Sequence, residues 1–362
     1  MTRGALRQYL RNPLSWMLAL IPLAIGLAYA GAAPLLVLLT AAGAMVPLAG
    51  LIGEATEALA AHSGPRVGGL LNATLGNAAE LIISVVAIRE GLLELVKASI
   101  TGSILGNLLV VLGASMMVGG LRHGAQSFDR RKASSDSLLL VLAVVALAIP
   151  SLFTQFGDGI HTEPQVEALS LGVAGLMIVL YALALVEGLR RQPGPLSRPS
   201  AEPVVHVPGW PVRTALVVLG GATLGIVWLS EILVRAVEPV IGQVGVSEFF
   251  LGVILVPLVG NVAEHLVAVR VAAKNHMTLS VEIAIGSSLQ VALFVAPALV
   301  FLSLLLGNPL TLVFNSFELI ALVGGVIISA LVASDGEANW LEGAELLAVY
   351  LMLGLAFFLL PA

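Results

Sequence analysis

Long apolar runs separate the charged residues of this chain from end to end. Each run has about 20 mostly apolar residues, the length at which a helix spans the hydrocarbon core of a bilayer. Of 362 residues, 58% are hydrophobic and 11% are charged, whereas soluble domains carry about 25% charged residues. In lipid, the hydrogen-bonding groups of the backbone must be paired within the segment, which favours helices. The sequence lacks the alternation of polar and apolar residues that would indicate strands. The sequence predicts an all-α integral membrane protein.

Charged, proline and glycine breaks divide the apolar sequence into about eleven candidate transmembrane helices. The first follows three arginines and has no clear small-residue cleavage site after it, so we interpret it as a retained helix. The candidates lie near residues 14–31, 34–61, 67–89, 95–120, 136–156, 165–188, 212–237, 247–270, 278–306, 310–333 and 340–361.

Lysine and arginine predict the orientation of these spans. With the N-terminus in the cytoplasm and alternating spans, 14 of the 17 basic residues fall on the cytoplasmic side. The other three, Arg89, Lys97 and Arg235, fall outside. Cytoplasmic loops of membrane proteins carry an excess of Lys and Arg, so we expect the N-terminus inside and the C-terminus outside.

Several classes of partner and chemistry are excluded by composition. There is no cysteine, so disulfides and thiolate metal sites are ruled out. The net charge is −5 with no basic patch, which argues against nucleic acid. No phosphate-binding loop or HExxH metalloprotease motif occurs. We therefore expect neither an enzyme nor a resident cofactor or nucleotide. Composition leaves the oligomeric state open.

Residues 74–105 and 258–289 are an internal repeat, offset by 184 residues without a gap. Nine of the 32 positions are identical. The most specific part is Gly-Asn-x-x-Glu, followed 22 residues later by Gly-Ser. The matching positions in the first copy are Gly76, Asn77, Ala79, Glu80, Val85, Leu95, Gly102, Ser103 and Leu105.

The repeat predicts an internal symmetry. Five spans in each half is an odd number, so the halves enter the membrane in opposite directions, an arrangement typical of secondary transporters. We expect an N-terminal helix (1–33), a first five-helix repeat (34–189), a Pro- and Gly-rich cytoplasmic linker (190–211) and a second repeat (212–362).

The repeated motif puts a carboxylate and an amide into each half of the membrane. On a helix, Asn77 and Glu80 share a face, as do Asn261 and Glu264. An intramembrane carboxylate is costly and normally marks an ion pathway or a proton relay. Glu54 and Glu231 also align if the second half has a loop seven residues longer.

The next span of each half adds oxygen ligands and hydrogen-bond donors, which suit a hard cation such as Ca²⁺. These residues are Ser103, Asn107, Ser287, Ser288 and Gln290.

Paired carboxylates predict an exchange mechanism. The empty, ionised site carries about two negative charges in a low dielectric, where burial and mutual repulsion favour protonation. One divalent cation or two protons neutralise the pair, so only loaded forms cross the membrane barrier readily. This predicts antiport of a divalent cation against protons.

These motifs resemble the calcium/cation antiporter superfamily, specifically its Ca²⁺/H⁺ exchanger branch. GNAAELIISVVAI (76–88), GSILGNLLVVLG (102–113), GNVAEHLVAV (260–269) and GSSLQVALFVAP (286–297) carry the resemblance, and GEATEALA (53–60) also fits. The related Na⁺/Ca²⁺ exchangers have Pro-Glu where this chain has Asn-x-x-Glu.

The resemblance implies that Glu80 and Glu264 bind Ca²⁺ and protons alternately. It also implies support from Asn77, Asn261, Ser287 and Gln290, and gating roles for Glu54 and Glu231. No long acidic regulatory segment is present, which indicates an exporter in the plasma (inner) membrane of a prokaryote.

Alternative interpretations remain at this stage. The transported pair could be Na⁺ and Ca²⁺ or another divalent cation, and a passive channel is a further class. The two glutamates could be interhelical contacts, and the Asn and Ser residues could serve packing. His265, where the first repeat has Leu81, could be a proton shuttle or a packing residue.

Overall fold

The computed structural model describes residues 13–155, 162–190 and 209–360, which are almost entirely helical. We number the helices in chain order and count a helix with a π or 3-10 segment inside it as one element. The expected linker lies outside the described residues apart from its first residue and its last three.

The helices of the first half are joined by short turns. They are α1 (Pro13–Trp16, a 3-10 turn Met17–Ala19, and Leu20–Tyr29), α2 (Pro34–Leu75), α3 (Ala78–Arg89), α4 (Leu93–Leu105, a π segment Gly106–Val111, and Leu112–His123), α5 (Arg130–Gln155) and α6 (Glu163–Arg190).

The second half has a similar series. Its helices are α7 (Val212–Val244), α8 (Glu248–Ala272), α9 (Met277–Gln290, a π segment Val291–Val295, and Ala296–Leu306), α10 (Ser316–Val332) and α11 (Trp340–Leu359). Strand β1 (Gln126–Ser127) pairs antiparallel with β2 (Glu337–Ala338), and this short ribbon is the only sheet among the described residues.

Seven of the described helices are long and apolar enough to cross a membrane, and the bent helix α8 would make eight. A multi-pass membrane protein is therefore confirmed. Helices α1 and α10 are shorter apolar helices, and α3 is only 12 residues long.

Helix α2 turns back on itself between the two expected spans 34–61 and 67–89. A Cβ atom on Gly68 would lie 2.8 Å from the backbone oxygen of Ala60. Eight residues of straight helix would separate these positions by about 12 Å. The chain therefore reverses direction between Ala60 and Gly68, where the sequence GPR (64–66) predicts a break.

Both copies of the Gly-Asn-x-x-Glu motif interrupt a helix, which corrects the expectation that Asn77 lies inside one. Helix α2 ends at Leu75 and α3 begins at Ala78, so Asn77 is the residue before the helix, with φ −99° and ψ 23°. The α8 segments Glu248–Val262 and Glu264–Ala272 meet at a bend of 69°. Glycine and asparagine both disfavour helix interiors, which accounts for breaks at this motif.

The inter-helix turns gather at two ends of the bundle. At one end Asn308 donates to the Ile88 carbonyl at 2.8 Å, and the Leu95 N–H donates to Glu248 at 2.9 Å. At the other end Gln126 donates to Asn275 at 2.7 Å, beside the β1–β2 ribbon. We call these the Arg89 end and the His123 end.

Close packing of backbones joins the two halves at the centre. Helix α7 packs along α2, and α8 packs along the first part of α4. A Cβ atom on Gly102 would lie 2.7 Å from the Cα atom of Val253, and one on Gly252 would lie 2.8 Å from the Leu95 carbonyl oxygen. Small residues at such crossings let membrane helices approach closely. The motif helices of the two halves are thereby held against each other.

Candidate functional site

Glu80 lies at the beginning of α3 with donors from two other helices around it. Its side chain is buried, 4% exposed. One carboxylate oxygen, Oε1, accepts hydrogen bonds from the Ser103 hydroxyl of α4 and from Asn261 Nδ2 of α8, the latter at 2.6 Å. The other oxygen, Oε2, has no hydrogen-bond partner among the described residues. This oxygen is free to take a proton or a cation.

Glu264 is the counterpart of Glu80 in the bend of α8. Its Oε2 accepts a hydrogen bond from the Ser287 hydroxyl of α9 at 2.8 Å. Ser103 and Ser287 are the paired serines of the repeat, so each glutamate is bonded by the serine of its own half. Glu264 is partly exposed while Glu80 is buried. The site is therefore more accessible at Glu264.

The two asparagines of the motif have different partners. Asn261 donates to Glu80, whereas Asn77 donates to Gln290 Oε1 at 2.8 Å. The Ser287 hydroxyl is also 3.5 Å from Asn77 Oδ1. Asn261 Oδ1 is buried without a partner among the described residues. Unpaired Asn261 Oδ1 and Glu80 Oε2 are both hard oxygen ligands of the kind that Ca²⁺ prefers.

His265 contacts the π segment of α4. Its Nε2 lies 3.2 Å from Asn107 Oδ1, and Asn107 Nδ2 is buried without a partner among the described residues. Ser288 donates to the backbone carbonyls of Ala284 at 3.0 Å and Ile104 at 3.4 Å, so its hydroxyl serves helix packing.

Glu54 and Glu231 lie away from the two central carboxylates. Glu231 faces Arg89 at 4.0 Å, near the Arg89 end. Glu54 is half-buried on the part of α2 that leads to the His123 end, one turn before Glu57. Glu57 is also half-buried. Neither Glu54 nor Glu231 hydrogen-bonds to Glu80 or Glu264 in the part of the chain that the structure describes.

Two features of the site go beyond the sequence prediction. Gly260 faces the Glu80 side chain, whose Cδ atom would be 3.4 Å from a Cβ atom at this position. Each motif serine is followed, within four residues, by a π segment: Gly106–Val111 and Val291–Val295. π segments frequently mark functional sites. Gly260 was visible as part of the repeated motif, but the sequence has no signal for the π segments.

The ligand set consists of two carboxylates with amides and hydroxyls. Among the described residues, no group of three or more His, Asp or Glu side chains could hold a metal ion. Two carboxylates fit a cation that is bound and then released, because they match the charge of one divalent ion. Amide and hydroxyl oxygens can complete its coordination.

Comparison with known proteins gives the same picture. The model of the sodium/calcium exchanger protein family matches residues 33–187 and 214–359. The chain is 42% identical over 338 residues to the Ca²⁺/H⁺ antiporter of Aphanothece halophytica, with 90% of each chain covered. It is 45% identical over 319 residues to Ca²⁺/H⁺ antiporter ChaA of Bacillus subtilis, covering 87% of this chain and 90% of the relative.

Solved structures agree. The structure of native YfkE aligns with a TM-score of 0.82 at 40% sequence identity. The alignment covers 94% of this chain and 98% of the YfkE chain. The H⁺/Ca²⁺ exchanger CAX aligns with a TM-score of 0.74 over 95% of this chain and 91% of the CAX chain. Because the two sequences are only 16% identical, this similarity shows the fold alone. The expected family is confirmed: this chain belongs to the sodium/calcium exchanger protein family.

Proposed function

We propose that this protein is a Ca²⁺/H⁺ antiporter that exports cytosolic calcium in exchange for protons. The observation that carries the proposal is the pair Glu80 and Glu264, one from each half, with serine and asparagine donors directed at their oxygens. The relatives named Ca²⁺/H⁺ antiporter support the choice of ions.

Glu80 and Glu264 bind Ca²⁺ or protons by turns. Asn261 and Asn77 supply amide oxygens to the cation, and Ser103 and Ser287 orient the carboxylates. When Ca²⁺ leaves, two carboxylates in a low dielectric repel each other and take up protons. Since the empty ionised site is costly to move through the membrane, the protein changes its accessible side mainly when it is loaded. This makes the exchange obligatory.

The proposal includes a topology of eleven spans. Helix α1 precedes two inverted five-helix repeats, α2–α6 and α7–α11, with the N-terminus in the cytoplasm and the C-terminus outside. The paired interruptions at Asn77 and at the α8 bend support this layout, as do the two π segments. The His123 end then faces the cytoplasm of a prokaryotic cell, and Glu54 and Glu57 lie on the cytoplasmic path to Glu264.

The decisive experiment compares driving ions. Purified protein in proteoliposomes should take up ⁴⁵Ca²⁺ when a pH gradient is imposed and should not respond to a sodium gradient of equal size. Uptake driven by sodium alone would assign the protein to Na⁺/Ca²⁺ exchange. Uptake that needs no counter-ion would indicate a passive channel. Competition by Mn²⁺ and Mg²⁺ in the same vesicles measures the selectivity among divalent cations.

A further inference from the structure

A cavity of about 310 Å³ lies at the Arg89 end, away from the central glutamates. One wall is the α1–α2 turn with Tyr29 and Pro34, and the other is the last half of α7. The lining is mostly apolar, but Glu231 and Arg235 also line it. Its size is at the lower limit of typical ligand-binding pockets, about 300–1,000 Å³.

Helix α7 has a graded polarity along the face that lines the cavity. Trp228, Glu231 and Arg235 line it, and Leu224 precedes them on the same face. The four residues are spaced by four, three and four, so they form a single stripe. Leu224 is 72% exposed and Trp228 is 48% exposed, on a helix apolar enough to span a membrane. From the middle of α7 to its end, the stripe passes from aliphatic to aromatic to acidic to basic. A phospholipid has the same order of groups from its chain to its headgroup.

Glu231 and Arg235 form only weak ion pairs and can still bind a ligand. Glu231 is 4.0 Å from Arg89, and Arg235 is 3.9 Å from Glu90, so both pairs are long. The side chains of Glu231 and Arg235 are 38% and 70% exposed. Exposed ion pairs of this kind contribute little to stability. A ligand with better geometry can therefore displace or join them at small cost.

Glu231 and Arg235 also carry opposite charges at a fixed spacing on α7. Residues one helical turn apart have Cβ atoms about 5–6 Å apart. A zwitterionic headgroup that joins a phosphate to a primary amine presents opposite charges at comparable separation. The Arg guanidinium binds phosphate oxygens in a bidentate manner, and a carboxylate accepts hydrogen bonds from an ammonium group.

We propose that this cavity binds the headgroup of a zwitterionic phospholipid with a primary amine, its phosphate on Arg235 and its ammonium on Glu231. The acyl chains lie along Trp228 and Leu224. An aromatic belt alone anchors helices at the interface, but it needs neither a hollow nor an acid–base pair. Under the proposed topology, the lipid belongs to the outer leaflet.

The test uses Trp228 as a reporter of bound lipid. Trp16, Trp210 and Trp340 are the other tryptophans, and replacing them with Phe leaves Trp228 alone. This protein is placed in phosphatidylcholine nanodiscs with a minor fraction of lipid brominated on its chains. The brominated lipid is phosphatidylethanolamine, phosphatidylcholine or phosphatidylglycerol. Fluorescence quenching then gives the relative binding constant at Trp228.

We expect phosphatidylethanolamine to bind about tenfold better than phosphatidylcholine, the effect of one charge-assisted hydrogen bond. Arg235→Gln and Glu231→Gln should each remove this preference. Arg213→Gln, at the opposite end of α7, should preserve it. Size-exclusion profiles and circular dichroism verify that each variant is folded.

Four results would overturn the proposal. Equal quenching by the three lipids would mean that Trp228 is only part of an aromatic belt. A preference for phosphatidylglycerol would mean that the arginines attract any anionic lipid. A phosphatidylethanolamine preference that survives Arg235→Gln would place the headgroup elsewhere. Displacement by water-soluble glycerophosphoethanolamine would show that the site selects a free headgroup rather than a lipid.

Discussion

Asn261 lies 181 residues after Glu80 in the chain, yet its amide nitrogen is 2.6 Å from the Glu80 carboxylate. Each half therefore contributes a carboxylate, and the second half also holds the carboxylate of the first. A movement of α8 against α3 would therefore change the donors around Glu80.

Replacement of either central glutamate by glutamine should abolish exchange. Glu80→Gln removes one of the two charges that balance the cation and replaces one acceptor oxygen of the carboxylate with an NH₂ donor. Loss of a buried charged partner costs about 2–5 kcal/mol, so Ca²⁺ uptake should fall at least about thirtyfold. The measurement is ⁴⁵Ca²⁺ uptake into proteoliposomes under a pH gradient. Glu282→Gln, which changes a carboxylate paired with Lys132 at 2.9 Å, is the matched control and should retain transport.

Ca²⁺ affinity should increase with pH. Protons and Ca²⁺ compete for the same carboxylates, so deprotonation at higher pH favours the metal. If both carboxylates are protonated at the start, the apparent affinity rises up to about a hundredfold per pH unit. The increase disappears once neither is protonated. Calorimetric titrations of the purified protein over a pH series measure this slope, and a flat series would separate the proton site from the Ca²⁺ site.

The Asn77–Gln290 hydrogen bond should couple the halves. Asn77→Ala leaves the Gln290 amide unpaired, so it should destabilise the protein by about 1–3 kcal/mol. Adding Gln290→Leu removes the orphaned group and should recover part of that loss. A double-mutant cycle on thermal unfolding in detergent gives the coupling. Additive effects would show that the 2.8 Å contact contributes no stability.

Gly102 and Gly286 occupy the same place in the repeat but should respond differently to alanine. A Cβ atom at Gly102 meets the Val253 backbone, whereas one at Gly286 finds nothing within 4 Å. Gly102→Ala should therefore cost about 1–3 kcal/mol from overpacking, and Gly286→Ala should change stability by less than about 0.5 kcal/mol. Thermal unfolding of the two variants is the measurement. Equal effects would contradict the close α4–α8 crossing.

His265→Leu, which copies Leu81 of the first repeat, tests the asymmetry of the site. We expect Ca²⁺ uptake within a few-fold of normal and an unchanged pH profile, because the carboxylates carry the protons. Asn107→Ala removes the same 3.2 Å contact and should have the same effect. A pH profile shifted by His265→Leu but not by Asn107→Ala would assign a proton-carrying role to the imidazole.

Much of the site was predictable because intramembrane polar residues are rare. Glu80, Asn261, Ser103 and Ser287 stand out in apolar sequence, and their recurrence after 184 residues indicated that they act together. Residue types and spacing could not predict which donor reaches which acceptor. The motif looked symmetric, yet Asn261 bonds to Glu80 while Asn77 bonds to Gln290.

The multi-pass helical architecture was predictable from apolar length, but the interruptions of the helices were less so. Gly76 and Asn77 have apolar sequence on both sides. A hydropathy value averaged over a whole span therefore does not reveal the helix break at these residues.

The π segment in α4 changes the angular phase of that helix. Gly102 and Gly113 are eleven residues apart, so a regular α-helix would direct them within about 20° of each other. Gly102 nevertheless packs on Val253 of α8, and Gly113 packs on Gly343 of α11. A π segment adds roughly one residue to a turn and so rotates the remainder of the helix by about 100°. One continuous helix can thus fit two neighbours at different depths, and deleting a single residue from 106–111 would turn one of these glycine faces away from its partner.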